Sequence, residues 1–167
     1  MGLKGGEVIE VKVAGVRFDE KSRSPVVFLK EVNGNRILPI FIGPAEATAI
    51  MYALENVKFA RPLTLDLMKR LVEGLGGKIQ RVVITAIRDN TFFAEIILEK
   101  DGDKIVIDAR PSDSVGLALK INCPIYCEEE VMETCGIVIP ETNEDRIKEI
   151  EDWLRETDPE DLGNFPL

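Results

Sequence analysis

The sequence predicts an α+β domain whose mixed, largely antiparallel β-sheet carries helices packed on it. Two turn signals, Asn33-Gly34 and Asp101-Gly102, each join a pair of apolar stretches in the manner of β-hairpins. Segments with helical apolar spacing lie between these hairpins, without the strict strand–helix alternation of a parallel sheet. At 167 residues the chain suits a single compact domain with a proper core.

Apolar alternation and turn residues define the elements of the first half. Strands are predicted over Glu7–Phe18, Val26–Val32 and Arg36–Ile42, and helices over Pro44–Glu55 and Leu63–Leu75. The first helix begins at a proline, whose missing N–H costs nothing at that position, and the second stops at paired glycines.

The second half continues with hairpins and shorter helices. Its predicted strands are Val82–Arg88, Phe92–Glu99, Lys104–Ala109 and Pro124–Cys127, and its predicted helices are Ser112–Ile121 and Glu128–Thr134.

The C-terminal part of the chain differs from the rest in charge. Residues 140–167 hold ten acids against three bases, −7 of the net charge of −9. Asn143–Glu156 has the pattern of an amphipathic helix, and Asp158–Leu167 that of a frayed tail. The predicted organisation is therefore a domain over residues 1–139 and an acidic helix with its tail over residues 140–167. The apolar side of that helix is predicted to carry Ile147, Ile150 and Leu154.

Composition also predicts where the protein resides. No apolar run reaches the ~20 residues that span a bilayer, and the N-terminus lacks an apolar signal core. We therefore expect a cytoplasmic protein without a membrane partner. Cys123, Cys127 and Cys135 are expected to be reduced thiols, because their number and spacing, without any histidine, do not suit a zinc site.

One local excess of positive charge lies within the body of the chain. Lys58–Arg88 holds seven bases against two acids. This segment is either a solvated helix face or a surface that tracks phosphates. It lacks the interleaved aromatic residues of a base-stacking platform.

The most informative segment is Ile107–Ile125, IDARPSDSVGLALKINCPI, in which a strand runs directly into a helix. Asp108, Arg110 and Asp113 crowd that corner, and Asp113 falls in the first helical turn, where the helix dipole favours a carboxylate. The corner is either a functional site or a helix start held by an ion pair.

A second corner repeats the pattern. Ile40–Leu54 and Ile107–Leu119 both run strand, proline, any residue, carboxylate, helix, so that Glu46 and Asp113 occupy matching third helical positions. This is ordinary helix-start chemistry unless the two corners meet. If they meet, the carboxylates could share a divalent cation or activate water.

Four segments in series carry a resemblance to a known family. They are LPIFIGPAEATAI at Leu38–Ile50, RPLTLDLM at Arg61–Met68, GGKIQRVVITAIRDNTFFAEIIL at Gly76–Leu98 and IDARPSDSVGLAL at Ile107–Leu119. Across roughly Val8–Val131 the chain resembles the bifunctional nuclease family. The resemblance implies a compact α+β domain and hydrolysis of phosphodiester bonds in RNA and DNA with low sequence specificity.

The chemistry of such a nuclease narrows the candidate residues. A pair of catalytic imidazoles is excluded because the chain has no histidine. We therefore predict a carboxylate site for Mg²⁺ or Mn²⁺ at Asp108, Asp113 and Glu46, with Arg110 as the phosphate clamp and Arg61 as a second phosphate contact. Second-rank candidates are Asp66 and Asp89, which also suit a first-turn acid and a turn former.

Two other readings of the same corner stay open. One is a non-catalytic binding or scaffold domain in which Arg110 holds an internal ion-pair network. The other is a module in which Arg110 binds a small anionic ligand. The expected partners are RNA or single-stranded DNA and further copies of the chain, because exposed strand edges invite self-association.

Overall fold

One eight-stranded sheet with four helices builds the part of the protein that the computed structural model describes, residues 6–139 and Asp152. The elements in chain order are β1 (Val8–Asp19), β2 (Ser24–Glu31), β3 (Arg36–Phe41), α1 (Pro44–Leu54), α2 (Thr64–Gly74), β4 (Lys78–Arg88), β5 (Thr91–Lys100), β6 (Asp103–Ala109), α3 (Pro111–Ile121), β7 (Ile125–Glu128), α4 (Glu129–Cys135) and β8 (Ile137–Val138).

The sheet is mixed and largely antiparallel, in the order β6-β5-β4-β7-β1-β2-β3-β8. The pairing of β4 with β7 is parallel, whereas the other neighbours in this sheet run antiparallel. Helix α3 lies between β6 and β7 in the chain and makes the crossover to that parallel pair. These features confirm the predicted α+β class and a single compact domain.

Strand β8 was not expected from the sequence. Its two residues form a strand only because β3 offers a free edge, where Arg36 pairs with Val138 and Ile37 with Ile137. A two-residue strand has no periodicity of its own, so the sequence carries no signal for it.

The two-residue hairpin turn predicted at Asp101-Gly102 is confirmed: it joins β5 to β6, and both of its residues have positive φ. The two-residue turn predicted at Asn33-Gly34 is wrong in length, because the loop between β2 and β3 spans residues 32–35. The backbone N–H of Val32 donates to the carbonyl of Glu10 on β1 at 2.9 Å, so the chain leaves the β2–β3 ladder before the Asn-Gly pair.

The main core lies between one face of the sheet and the helices. Val27, Leu38, Val82 and Ile96 are among its strand residues. Helix α3 packs against both α1 and α2. A Cβ at Gly116 would come within 2.8 Å of a terminal methyl of Leu65 on α2, so a larger residue there would require the Leu65 side chain to move.

The predicted acidic helix at Asn143–Glu156 and the predicted tail lie outside the described residues, apart from Asp152. Within the described part of the chain, no helix has the length and apolar character needed to cross a membrane.

Candidate active site at two strand-to-helix corners

The β3–α1 and β6–α3 corners are built alike. Gly43 and Arg110 are the N-cap residues, both with extended backbone, and each precedes a proline at the first helical position. The α3 corner is further fixed by Ser114, whose backbone N–H and hydroxyl both donate to the carbonyl of Arg110, at 3.0 and 2.9 Å. The local sequence therefore positions both corners.

The two corners meet at the Arg110 guanidinium. Its Nε donates to Asp113 Oδ2 at 2.8 Å and its Nη2 to Asp113 Oδ1 at 3.2 Å, a two-pronged contact within one helical turn. Its Nη1 lies 3.0 Å from Glu46 Oε1 on α1. The side chain of Arg110 is nevertheless 64% exposed, whereas that of Glu46 is 22% exposed. We call Arg110, Asp113 and Glu46 the corner cluster.

Electrostatics keep this arginine charged. The hydrogen bond and the charge of Asp113, and then the contact with Glu46, raise the pKa of Arg110 above its ordinary value. A guanidinium has five N–H donors, and the contacts above engage one on each nitrogen. Two N–H groups are therefore left over to bind an anion.

An open cleft of about 340 Å³ lies beside Arg110. Its walls come from three parts of the chain: the end of β3, the β4–β5 turn and the β6–α3 corner. The lining residues are Ile40, Phe41, Ile42, Gly43, Asn90, Thr91, Phe92, Arg110, Pro111 and Ser112. Arg110 thus connects the two carboxylates to a cavity that can hold a ligand.

Asp108 is separated from the corner cluster. It pairs with Glu95 in the β5–β6 ladder, one position before the Ala94–Ala109 pair whose Ala94 lies in the core beneath the helices. Because side chains alternate along a strand, Asp108 projects from the sheet face opposite the helices. Asp108 has no hydrogen bond or ion pair with another described residue, and its nearest cross-strand neighbour is an acid.

The structure therefore brings together Glu46 and Asp113 of the predicted metal ligands, and not Asp108. Within residues 6–139 and Asp152, no group of three or more acidic or cysteine side chains could hold a metal ion. Metal binding stays a prediction, with two carboxylates rather than three as its candidate ligands in this cluster.

The remaining candidates are not among the residues that line the cleft. Arg61 is exposed in the α1–α2 loop. Asp66 accepts the backbone N–H of Leu63 at 2.9 Å and pairs with Lys120 on α3 at 3.0 Å, and these contacts lower its pKa. Asp89 has positive φ in the β4–β5 turn. Asp66 is thus a first-turn acid of α2 and Asp89 is a turn residue, which are the structural alternatives predicted for them.

The cysteines do not offer an alternative nucleophile. The three described thiols are unpaired, and burial raises the pKa of Cys123 to about 11 and that of Cys127 to about 12. Both are protonated near neutral pH, and a protonated thiol is a poor nucleophile and metal ligand.

Sequence reasoning missed several cleft residues, notably Phe41, Asn90 and Phe92. Asn90 belongs to a recognised turn, but nothing local indicates that this turn faces Arg110. Phe41 and Phe92 look like ordinary strand residues. Only the pairing of distant strands reveals their position.

The sequence model of the bifunctional nuclease domain family matches residues 27–140. This match covers more than half of the chain and includes both corners. The chain belongs to the bifunctional nuclease domain family. The corner cluster is thus part of a bifunctional nuclease domain, as the resemblance over the four segments predicted.

Proteins similar in sequence to this chain include an uncharacterized bacterial protein and plant proteins named as bifunctional nucleases. An uncharacterized protein of Mycobacterium tuberculosis is 38% identical over 162 residues, covering 92% of this chain and 97% of the relative. "Bifunctional nuclease 2" of Arabidopsis thaliana is 30% identical over 117 residues, 68% of this chain and 36% of the relative. A rice protein of the same name is 28% identical over 127 residues, 74% of this chain and 39% of the relative. The chain therefore corresponds to little more than a third of these plant relatives.

Proposed function

We propose that this domain hydrolyses phosphodiester bonds of RNA and DNA with low sequence specificity, at the cleft beside Arg110. The observation that carries the proposal is an exposed guanidinium, held by two carboxylates, at the wall of a cavity of about 340 Å³. Membership of the family and the names of the plant relatives support the reaction class.

Arg110 is the proposed phosphate clamp. Its two remaining N–H groups suit the oxygens of a phosphate, which guanidinium binds in a planar, two-pronged geometry. The position of Arg110 at the helix N-cap adds the partial positive charge of the α3 dipole. Both contributions stabilise charge that develops on phosphate oxygens in the transition state.

The charge of the corner cluster argues for a divalent cation. One guanidinium and two carboxylates sum to a formal charge of −1, which repels phosphate. One Mg²⁺ or Mn²⁺ would reverse that sign. Mg²⁺ is commonly held by one or two carboxylates together with water and substrate phosphate, so the oxygens of Glu46 and Asp113 fit the donor chemistry. Bound there, the ion would supply Lewis-acid polarisation of the phosphate.

The cleft walls suit a nucleotide of a single strand. Half-buried Phe41 and Phe92 line the same cavity as Arg110, so ring surface and positive charge border one volume. Base–aromatic stacking tolerates every base, which agrees with low sequence specificity. A base must be unstacked to enter such a cleft, and this favours RNA or single-stranded DNA over a duplex.

A cleavage assay with purified protein tests the proposal. We expect cleavage of RNA and single-stranded DNA with added Mg²⁺ or Mn²⁺, and its loss with EDTA or in Asp113→Asn. Arg70→Ala, an exposed arginine of α2 outside the cleft, is the matched control and should keep full activity. Activity that survives in the combined variant Glu46→Gln, Asp108→Asn, Asp113→Asn would remove this site from the reaction.

A module for a small anionic ligand is the second candidate function. The cleft volume lies at the lower end of the range of small-molecule sites, ~300–1,000 Å³. Equilibrium binding of nucleotides and phosphorylated metabolites would favour it if affinity depended on Arg110 while no nucleic acid was cleaved. A lower melting temperature of Arg110→Ala, with no ligand and no metal-induced shift, would instead favour a scaffold role.

We also infer a cytoplasmic homo-oligomer. β6 lies at one edge of the described sheet and carries the exposed apolar residues Val106 and Ile107. Unpaired edges of this kind promote strand pairing between copies. Light scattering after size exclusion gives the mass, and a monomer at all concentrations would contradict the inference.

A further inference from the structure

A ridge of exposed leucines runs along α2 and has no partner among the described residues. Leu63, Leu67, Leu71 and Leu75 follow one another at four-residue spacing, with side chains between 41% and 71% exposed. The inner side of the same helix is occupied by Leu65, Met68 and Val72, which pack on the core. Helix α2 therefore has an exposed apolar face in addition to the one that packs on the core. We call the exposed face, formed by Leu63, Leu67, Leu71 and Leu75, the α2 ridge.

The length of the ridge sets it apart from scattered surface leucines. At 1.5 Å per residue, its four leucines span ~18 Å. Residues four apart on a helix form one of the ridges that pack into grooves of a second helix. Single exposed apolar residues need no explanation, whereas a contiguous apolar patch marks an interaction site.

The charge near the ridge is net positive, because residues 58–75 hold four bases against two acids, Asp66 and Glu73. Lys58 and Arg61 lie in the loop before α2, and Lys69 and Arg70 lie on the helix itself. Asp66 is already engaged by Lys120 at 3.0 Å. A second copy of the chain seated on the ridge would bring these bases together, and like charges across an interface are costly. An acidic, amphipathic helix is the complementary occupant.

We propose that the acidic segment of this same chain, residues 140–167, docks on the α2 ridge. The segment carries a charge of −7, opposite to that around the ridge. The apolar residues Ile147, Ile150 and Leu154 recur at helical spacing, which predicts a face that matches a leucine ridge. Its acids would then lie beside the bases of α2 and the preceding loop.

The connection is long enough. The described chain continues to Ile139, whose N–H donates to the carbonyl of Asn35 beside β8. Strands β8 and β4 are five positions apart in the sheet order, or ~24 Å at 4.8 Å per strand, and α2 packs against β4. Four residues from Ile139 to Asn143 span ~14 Å when extended, and the helix predicted over Asn143–Glu156 adds ~20 Å at 1.5 Å per residue.

Trp153, the single tryptophan of the chain, lies within this segment and reports its surroundings. In the full-length protein we expect its fluorescence to be blue-shifted from that of the unfolded chain and protected from acrylamide. In the double variant Leu67→Glu, Leu71→Glu, emission should move to the unfolded value and quenching should rise several-fold. Circular dichroism should show that the fold is retained.

Two further variants sharpen the test. Phe18→Glu, at an exposed apolar residue of β1, is the matched control and should leave the emission of Trp153 unchanged. Lys69→Glu, Arg70→Glu leaves the leucines intact and should also expose Trp153, as should high salt. Emission already at the unfolded value in the wild type, or unchanged in the ridge variants, would overturn the proposal. Protection that is lost on dilution would place the segment on a second copy and overturn docking within one chain.

Discussion

Two arginines of this protein each hold a pair of carboxylates, in settings that differ in burial. Arg36 contacts Glu31 at 3.1 and 2.7 Å and Glu129 on α4 at 2.6 and 3.2 Å. Arg110 contacts Asp113 and Glu46 at similar distances. The Arg36 side chain is only 23% exposed, against 64% for Arg110.

The difference separates a structural ion-pair network from a candidate site. Glu31 and Glu129 engage Arg36 through four hydrogen bonds, and together they tie the β2–β3 hairpin to α4. Arg110 makes three contacts with its two carboxylates, and its side chain lines the cleft. Charge composition alone does not distinguish the two clusters, since each is one guanidinium with two carboxylates. Exposure and an adjacent cavity do.

The largest expected effect is on cleavage. Arg110→Ala should lower the cleavage rate by about 10²–10³-fold, the usual loss when one donor to a developing oxyanion is removed. Its free energy of unfolding should change by less than about 1 kcal/mol, because exposed ion pairs contribute little. Kinetics and denaturant titration of the same preparation measure both. A stability loss as large as that of Arg36→Ala would erase the contrast between the clusters.

The reverse pattern is expected at Arg36. Arg36→Ala leaves the carboxylates of Glu31 and Glu129 together and partly buried without a cation, so we expect a loss of about 2–3 kcal/mol in the free energy of unfolding. Cleavage per folded molecule should stay at the wild-type value. A variant as stable as the wild type would show that these hydrogen bonds do not hold α4 to the hairpin.

The pH dependence of stability should reside partly in the Arg36 cluster. The hydrogen bond from Arg36 lowers the pKa of Glu31 below its ordinary value of 4.5. The stabilisation is therefore complete above that value and is lost as pH falls through the lower folded-state pKa. Denaturant midpoints measured from neutral to acid pH should fall less steeply in Glu31→Gln than in the wild type. Equal slopes would mean that Glu31 has the same pKa in both states.

The smallest expected effect belongs to a glutamate with a weak partner. Glu73 lies 3.9 Å from Lys69 and is 58% exposed. Glu73→Gln should change the free energy of unfolding by at most about 0.5 kcal/mol at neutral pH. A larger change in the denaturant midpoint would show that exposure is a poor guide to the weight of an ion pair in this protein.

Local chemistry made the two corners predictable from sequence. A proline at the first helical position and a carboxylate at the third mark a helix start, so Glu46, Arg110 and Asp113 could be placed before any fold was known. Asp108 could not. Two positions before Arg110 in the chain, it projects to the other sheet face because side chains alternate in β6.

The cleft and the Arg36 cluster had no local signal. Arg36 and Glu129 are 93 residues apart, and Phe41 and Phe92 come from different strands. Such partners are set by strand order, which depends on non-local pairing of β4 with β7 and of β3 with β8.

The sequence by itself determined the family, the α+β class, the helix starts and the absence of an imidazole mechanism, because these depend on residue identity and on short-range periodicity. Tertiary structure alone decided that the two corners meet at Arg110, that Asp108 stays apart, and that Arg36 is enclosed while Arg110 faces a cleft. Exposure and cross-element distance are properties of packing, and packing brings together residues that no local pattern relates.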